Sequence, residues 1–244
     1  MNTNEQNKPK KVTMQRLFKQ DMDIILNCYK KYDNLFYNPI DSNHITDILL
    51  CGQIWGAFYD NKLIACCYFF PMCSTFFKSE NTYSYLCDFI SEPKKYMFTG
   101  YIGTDFDCLS ENDRIFFTDE LNKSNGLYTA FLNIVQMQTF RAGLKYIIHT
   151  IPIKMCSDLE PMFSAGYKMI KMRGLEKLVV HYIFAKSIFP CDDIYCTNQQ
   201  AESLKYDITN TKAISALLES GYCCVDITKE NDKCLLLFQR LIAD

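Results

Sequence analysis

Histidine is scarce in this chain, and no block of like charge or long uninterrupted apolar run occurs. Each absence removes a class of function. His149 and His181 fall in segments that read as strands, and His44 falls in a polar stretch before a helix. No sharp nucleophile turn accompanies them, so a Ser-His-Asp hydrolase has no basis here, and each strand histidine reads as structural. Lys and Arg total 26 against 28 Asp and Glu, a net charge of −2. A dedicated nucleic-acid binder carries a basic excess or stripe, so nucleic acid is not expected as a partner. The longest apolar run, Leu63 to Phe77, is broken by Pro71 and falls short of the roughly 20 residues of a membrane span. No membrane segment and no secretory leader are expected, and the expected compartment is the cytoplasm. No sustained internal repeat or low-complexity tract is present.

The remaining composition favours a packed core. Hydrophobic residues make up 48% of the chain and aromatics 14%, which excludes global disorder. The 13 cysteines are odd in number, and no second Cys pair or nearby His completes a zinc set around Cys191 and Cys196. Cys66-Cys67 and Cys223-Cys224 are neighbours in apparent strands, so their thiols point to opposite faces, as small buried side chains do. Reduced structural cysteines are the expectation, with no metal.

The stretch richest in chemistry is Lys123-Ser-Asn-Gly126-Leu-Tyr-Thr129. The apolar run Arg114–Thr118 before it reads as a strand. After it Leu127, Ala130, Phe131, Ile134 and Val135 recur at helical spacing until Gly143. A glycine-bearing turn that opens a helix presents unpaired N–H groups and a positive helix end, a natural anion site. Taken alone, such a turn is more often a plain strand–helix junction.

Around this turn, residues 12–188 resemble the GNAT superfamily of acyl-CoA-dependent N-acyltransferases in order and spacing. Val12 to Ile25 is similar to that family's first strand and helix, with Met22, Ile25, Leu26 and Tyr29 on one stripe. Ile54–Phe70 reads as a hairpin turning at Asp60-Asn61-Lys62, like the family's second and third strands. Lys123 to Tyr128 resembles its pyrophosphate loop, with Lys123 at the basic position, Gly126 as the central glycine, and Tyr128 where a small residue is usual. Leu144–Pro152 looks like the fifth strand, Met162–Tyr167 like the short helix with its Gly-aromatic exit, and Lys177–Ile188 like the last strand. Pro152 to Ser157 resembles a Pro-x-Asn-x-x-Ser pattern, with Lys154 in place of Asn.

The resemblance implies an α/β fold with a mixed, mostly antiparallel central sheet flanked by helices. It implies acetyl-CoA, or another acyl-CoA, as cosubstrate. The cofactor-binding residues it designates are Phe116, Phe117 and Thr118, as a strand pairing the pantetheine arm, and Lys123, Ser124, Asn125, Gly126, Leu127, Tyr128 and Thr129 around the pyrophosphate. A backbone N–H of the fourth strand would polarise the thioester carbonyl. The acceptor would be a small-molecule or protein amine, deprotonated by a carboxylate. Asp105, Asp107, Asp119 and Glu120 lie in suitable regions, though each also reads as an ordinary surface acid. The family often uses a tyrosine as general acid where this chain has Met162, beside Phe163; Cys156, Ser157 or water could substitute, and no catalytic residue is assigned. The activity implied is acyl transfer to a primary amine, and the alternative is an impaired CoA-binding or protein-interaction module.

Three segments lie outside that core. Residues 1–11 read as a disordered tail. Residues 72–113 read as an insertion with a helical stretch at Tyr83–Ile90 and an extended one at Tyr96–Thr104, lining an acceptor pocket or forming a packing layer or a homodimer contact. Residues 189–244 read as an αββ extension packed on the main domain: a helix over Thr211–Ser220 ended by Gly221, then two strands around Thr228–Lys233.

Overall fold

The computed structural model describes residues 11–30, 40–74, 86, 90–118, 125–155, 158–175, 179–190, 193–197, 203–231 and 233–242. Nearly all of the tail expected over 1–11 and most of the helical stretch expected at Tyr83–Ile90 lie outside them. Strand β1 (Thr13–Leu17) leads to helices α1 (Met22–Lys30) and α2 (Ser42–Cys51), and then to the hairpin β2 (Gln53–Tyr59) and β3 (Lys62–Pro71). Asp60 and Asn61 turn that hairpin at positive φ, 51° and 60°, a conformation that Asn and Asp tolerate better than other side chains.

Strands β4 (Tyr96–Thr99) and β5 (Gly103–Thr104) follow, then helices α3 (Glu111–Thr118) and α4 (Asn125–Arg141). Next come β6 (Tyr146–Pro152), α5 (Leu159–Ser164), β7 (Lys168–Leu175) and β8 (Val179–Ser187). The chain closes with β9 (Leu204–Asp207), α6 (Thr211–Glu219), β10 (Tyr222–Glu230) and β11 (Lys233–Arg240). All eleven strands form one sheet in the order β1-β2-β3-β4-β6-β8-β7-β10-β11-β9, with β5 paired to β3. Among the described residues its pairs are antiparallel except one, β4 with β6.

Helices cover both faces of this sheet. On one face α1 and α2 seal Leu17, Ile54, Cys66, Tyr68, Phe70, Phe98, Ile148 and Cys223. On the other, α4, α5 and α6 seal Cys67, Phe69, Met97, Ile147, Phe184, Cys224 and Phe238. Cys66 and Cys67 therefore serve opposite cores, as do Cys223 and Cys224, as the two-residue period of a strand requires.

Two expectations are corrected. Arg114–Thr118 is the second half of helix α3, not a strand. The Ser110 hydroxyl accepts from the Asp113 amide at 3.3 Å and donates to the Asp113 carboxylate at 2.7 Å. This Ser-x-x-Asp arrangement, with Glu111 and Asp113 in the first turn, starts a helix that three adjacent bulky residues would otherwise not choose. Only Phe117 goes inward, at 5.0 Å from the Tyr59 ring and 5.6 Å from Phe106; Phe116 stays exposed. The fourth strand of the sheet is instead Tyr96–Thr99, continued by Gly103–Thr104. The extended stretch expected within 72–113 is thus a central strand, buried along its length.

The C-terminal extension continues the sheet. β10 joins β7 at Cys224↔Met169, and a further strand, β9, pairs with β11. Gly221 ends α6 at φ +87°, the left-handed position glycine fills at least cost.

Candidate functional site

Among the described residues the sheet opens between β4 and β6. β4 runs parallel to β6 through Tyr96↔Tyr146, Met97↔Ile147, Phe98↔Ile148 and Thr99↔His149. There the ladder stops. The Gly100 amide turns to the Tyr68 carbonyl on β3 (3.0 Å), and Gly103–Thr104 pairs only with β3. β6 meanwhile runs on through Thr150, Ile151 and Pro152, paired to β8. The two strands therefore part just beyond Thr99 and His149, leaving that flank of β6 without a β4 partner.

Close packing drives the departure. A Cβ on Gly100 would lie 1.9 Å from the Tyr68 ring, so only glycine lets the strand cross there. The Tyr29 hydroxyl, from α1, reaches the carbonyls of Cys66 and Tyr101 at 3.2 Å each and pins the bulge.

Helix α4 crosses this opening with its N-terminus over it. Its far end packs by Gln138, Arg141 and Ala142 near Met97 and Phe69, at the start of β4, so its first turn stands over the end where the strands part. The positive end of a 17-residue helix thus lies on the sheet face near the gap, where Tyr128 of its first turn reaches His149 on β6. Gly126 lies in that turn with no atom within 4 Å of where a Cβ would stand. Beside it is an apolar cavity of about 370 Å³ lined by Val12, Met14, Phe116, Phe117, Gly126, Leu127 and Ala130.

Beneath the same turn, polar groups are buried where the core is otherwise apolar. The Tyr128 hydroxyl lies 2.9 Å from His149 Nε2. Cys67 Sγ lies 3.4 Å from Thr99 Oγ1. Tyr167, after the turn at Gly166 (φ +80°), has its hydroxyl buried with no hydrogen-bond partner among the described residues, and His149 Nδ1 has none among them either. Burial lowers the His149 pKa to about 3 and raises that of Cys67 to about 12. Burial also drives the Tyr128 and Tyr167 phenols well up from their ordinary range. All four groups are therefore uncharged near neutral pH.

The designated residues divide as follows. Gly126, Leu127, Tyr128 and Thr129 form the first turn of α4, with Asn125 at its start. Lys123 and Ser124 lie outside the described residues. Phe116, Phe117 and Thr118 are helical and offer no strand edge for an extended arm; the unpaired strand flank lies on β6 beyond His149. Met162 and Phe163 are buried and carry no exchangeable proton. Asp105 follows β5, its amide donating to the Ile64 carbonyl, whereas Asp107 is exposed and faces Arg114 at 3.8 Å. Asp119, Glu120, Cys156 and Ser157 are outside the described residues. The Tyr128–His149 pair was not legible beforehand, because 21 residues separate its members and no local pattern links them. Among the described residues no group of His, Cys, Asp and Glu could hold a metal ion, and no described helix is long and apolar enough to cross a membrane.

No protein-family model matches the sequence, and no curated protein does. Solved structures do match the fold. A probable acetyltransferase from Staphylococcus epidermidis superposes with a TM-score of 0.52 at 12% identity, covering 72% of this chain and 99% of that one. A candidate acetyltransferase from Salmonella typhimurium, solved with its cofactor acetyl-CoA, gives 0.51 at 10% identity over 73% and 95%. An N-acetyltransferase from Staphylococcus aureus gives 0.50 at 10% identity over 73% and 99%. This chain has the GNAT acetyltransferase fold, in a divergent form with a three-stranded C-terminal continuation of the sheet. At these identities the likeness concerns fold, and chemistry must be argued from the site.

Proposed function

We propose that the protein is an acyl-CoA-dependent N-acyltransferase, transferring an acyl group, most simply acetyl, to a primary amine. The observation that carries this reading is the parting of β4 from β6 directly under the N-terminus of α4. A ligand with phosphates at one end and an amide-bearing extended arm at the other suits that pairing of features. The helix end takes the anion, and the unpaired strand flank takes the arm as a peptide-like strand. The open space beside Gly126 admits close approach of a phosphate to the backbone.

In this reading the amine attacks the thioester carbonyl directly, in a ternary complex. The acyl C–N bond forms as the C–S bond breaks, and an amide of the bulge at residues 100–102 stabilises the oxyanion. An alkylammonium with a pKa near about 10.4 must first shed a proton, and a carboxylate such as Asp105, which follows β5, would take it. The acceptor is a small-molecule or protein amine, met in the cytoplasm.

A second reading is a CoA-binding module without turnover, favoured by one observation: Met162 stands where the resemblance puts a proton donor. Calorimetric titration of the reduced protein with acetyl-CoA, with desulfo-CoA as a control, tests both. Micromolar binding with CoA release on adding amines is expected. Binding without release would favour the second reading, and no binding up to millimolar concentration would refute both.

A further inference from the structure

Strand β1 ends the sheet on one side and β9 ends it on the other. Each therefore presents a row of backbone N–H and C=O groups that faces no strand among the described residues, and such an edge can accept another chain. The two edges differ in charge. On β9 the cation Lys205 is paired to Glu230. Along β1 and the residues flanking it, Lys11, Arg16 and Lys19 are all exposed, and none is paired to a carboxylate among the described residues. Arg16 instead lies 5.5 Å over the Phe18 ring. The nearby acids are turned elsewhere: the Asp21 carboxylate accepts from the Phe18 amide at 2.8 Å, and Asp47 on α2 acts on His44 and Cys51.

At the same end of β1, a groove of about 280 Å³ is lined by Arg16, Phe18, Lys19, Thr46, Leu49 and Leu50. Its walls stand in water, with Leu50 81% exposed and Phe18 50%. Single exposed apolar side chains are ordinary. Here three of them are gathered in one groove, rimmed by two cations and continuous through Arg16 with a free strand edge.

Charge decides among the occupants. A second copy set edge to edge would bring Arg16 and Lys19 against the same cations, which repel. Residues 1–10 carry Lys8 and Lys10 against Glu5, so the chain's own preceding residues bring no net negative charge. An anionic lipid surface would meet the cations but would leave the strand edge unused. An extended acidic segment uses all three features. Its backbone pairs with β1, its carboxylates meet Arg16 and Lys19, and an apolar side chain enters the groove against Leu50.

We propose that the free edge of β1 and the groove at its end dock an extended acidic segment of a partner protein, which adds a strand to the sheet. The five residues of β1 span about 17 Å, which sets the length of the segment. Strands β2 and β3 separate this edge from the β4–β6 opening, so the proposal goes beyond the N-acyltransferase reading and does not depend on it.

The test selects binders to the full chain from a displayed library of random short peptides. Sequences combining Asp or Glu with Val, Ile, Leu or Phe are expected. A fluorescein-labelled copy of the best binder should bind Arg16→Glu/Lys19→Glu about tenfold more weakly, the size that two exposed ion pairs supply, and Leu50→Ser more weakly too. These side chains are exposed, so the urea midpoint should be unchanged. Methylating the peptide's amides at odd or at even positions, with wild-type protein, separates strand addition from plain charge attraction. One set should abolish binding and the other spare it, because alternate N–H groups face the neighbouring strand. Equal effects of the two sets, a library that yields no acidic binders, or binding indifferent to the charge reversal would overturn the proposal. So would binding to phosphatidylserine vesicles without peptide binding, which makes the patch a lipid-facing surface. Dimerisation in sedimentation that Arg16→Glu/Lys19→Glu abolishes would also overturn it, by seating a second copy there.

Discussion

Acidification should expose the cost of keeping His149 neutral. Its imidazole is fully buried, with a pKa lowered by burial from 6.5 to about 3. Above pH 6.5 neither the folded nor the unfolded chain protonates this ring, so it has no pH-dependent effect there. Below 6.5 the unfolded chain gains a proton that the folded protein refuses, and stability falls by up to about 1.4 kcal/mol per pH unit until the folded ring titrates near 3. At pH 5.0 the loss is about 2 kcal/mol, or roughly 4–8 °C in Tm for a protein of this size. His44, also held low by burial, and surface carboxylates add to any acid transition. The quantity to measure is therefore the difference between wild type and Tyr128→Phe/His149→Leu, by urea unfolding at pH 7.5, 6.0 and 5.0. The wild type should lose about 2 kcal/mol more than the variant between the extremes. Parallel losses, within about 0.5 kcal/mol, would refute the claim that His149 is buried and uncharged, since surface sites vary only by about that much.

Other perturbations separate site from scaffold. Gly126→Asp should fold normally, because its side chain meets open space, yet weaken acetyl-CoA binding at least tenfold by placing a carboxylate where a phosphate should lie; calorimetry showing unchanged affinity would remove the anion site from α4. Gly100→Ala drives a methyl into the Tyr68 ring, itself stacked on Phe70, and should cost about 1–3 kcal/mol, read as a lower urea midpoint. Phe238→Ala, in the fully buried heart of the C-terminal strands, should cost about 3–5 kcal/mol. Glu219→Ala breaks the surface ion pairs to Lys171 and Arg173 and should cost under about 1 kcal/mol; equal effects would mean that charge, not burial, holds the extension.

Local rules made much of this fold legible. Asp60-Asn61 marks the β2–β3 hairpin, Pro152 the end of β6 and Gly221 the end of α6, because each needs only its own backbone geometry. The doubled cysteines announced strands covered on both faces through a period of two. The helix expected over Thr211–Ser220 with Ile214, Leu217 and Leu218 inward is Thr211–Glu219, with Ile214 and Leu218 buried and Leu217 partly so. Where two local signals competed, tertiary context chose. The β-prone run Ile115-Phe116-Phe117 follows a Ser110–Asp113 cap, and one inward ring, Phe117 against Tyr59 and Phe106, was enough to favour helix.

The site divides along the same line. The helix that carries Leu127, Ala130, Phe131, Ile134 and Val135 was legible from spacing alone, because helical periodicity is short-range, though it begins at Asn125 and takes Gly126 into its first turn. That β4 is Tyr96–Thr99, that it leaves β6 after Thr99, and that Tyr128 meets His149 were decided only by tertiary structure. Register between distant strands and the pairing of buried polar groups depend on which faces pack together, and no window of neighbouring residues holds that information.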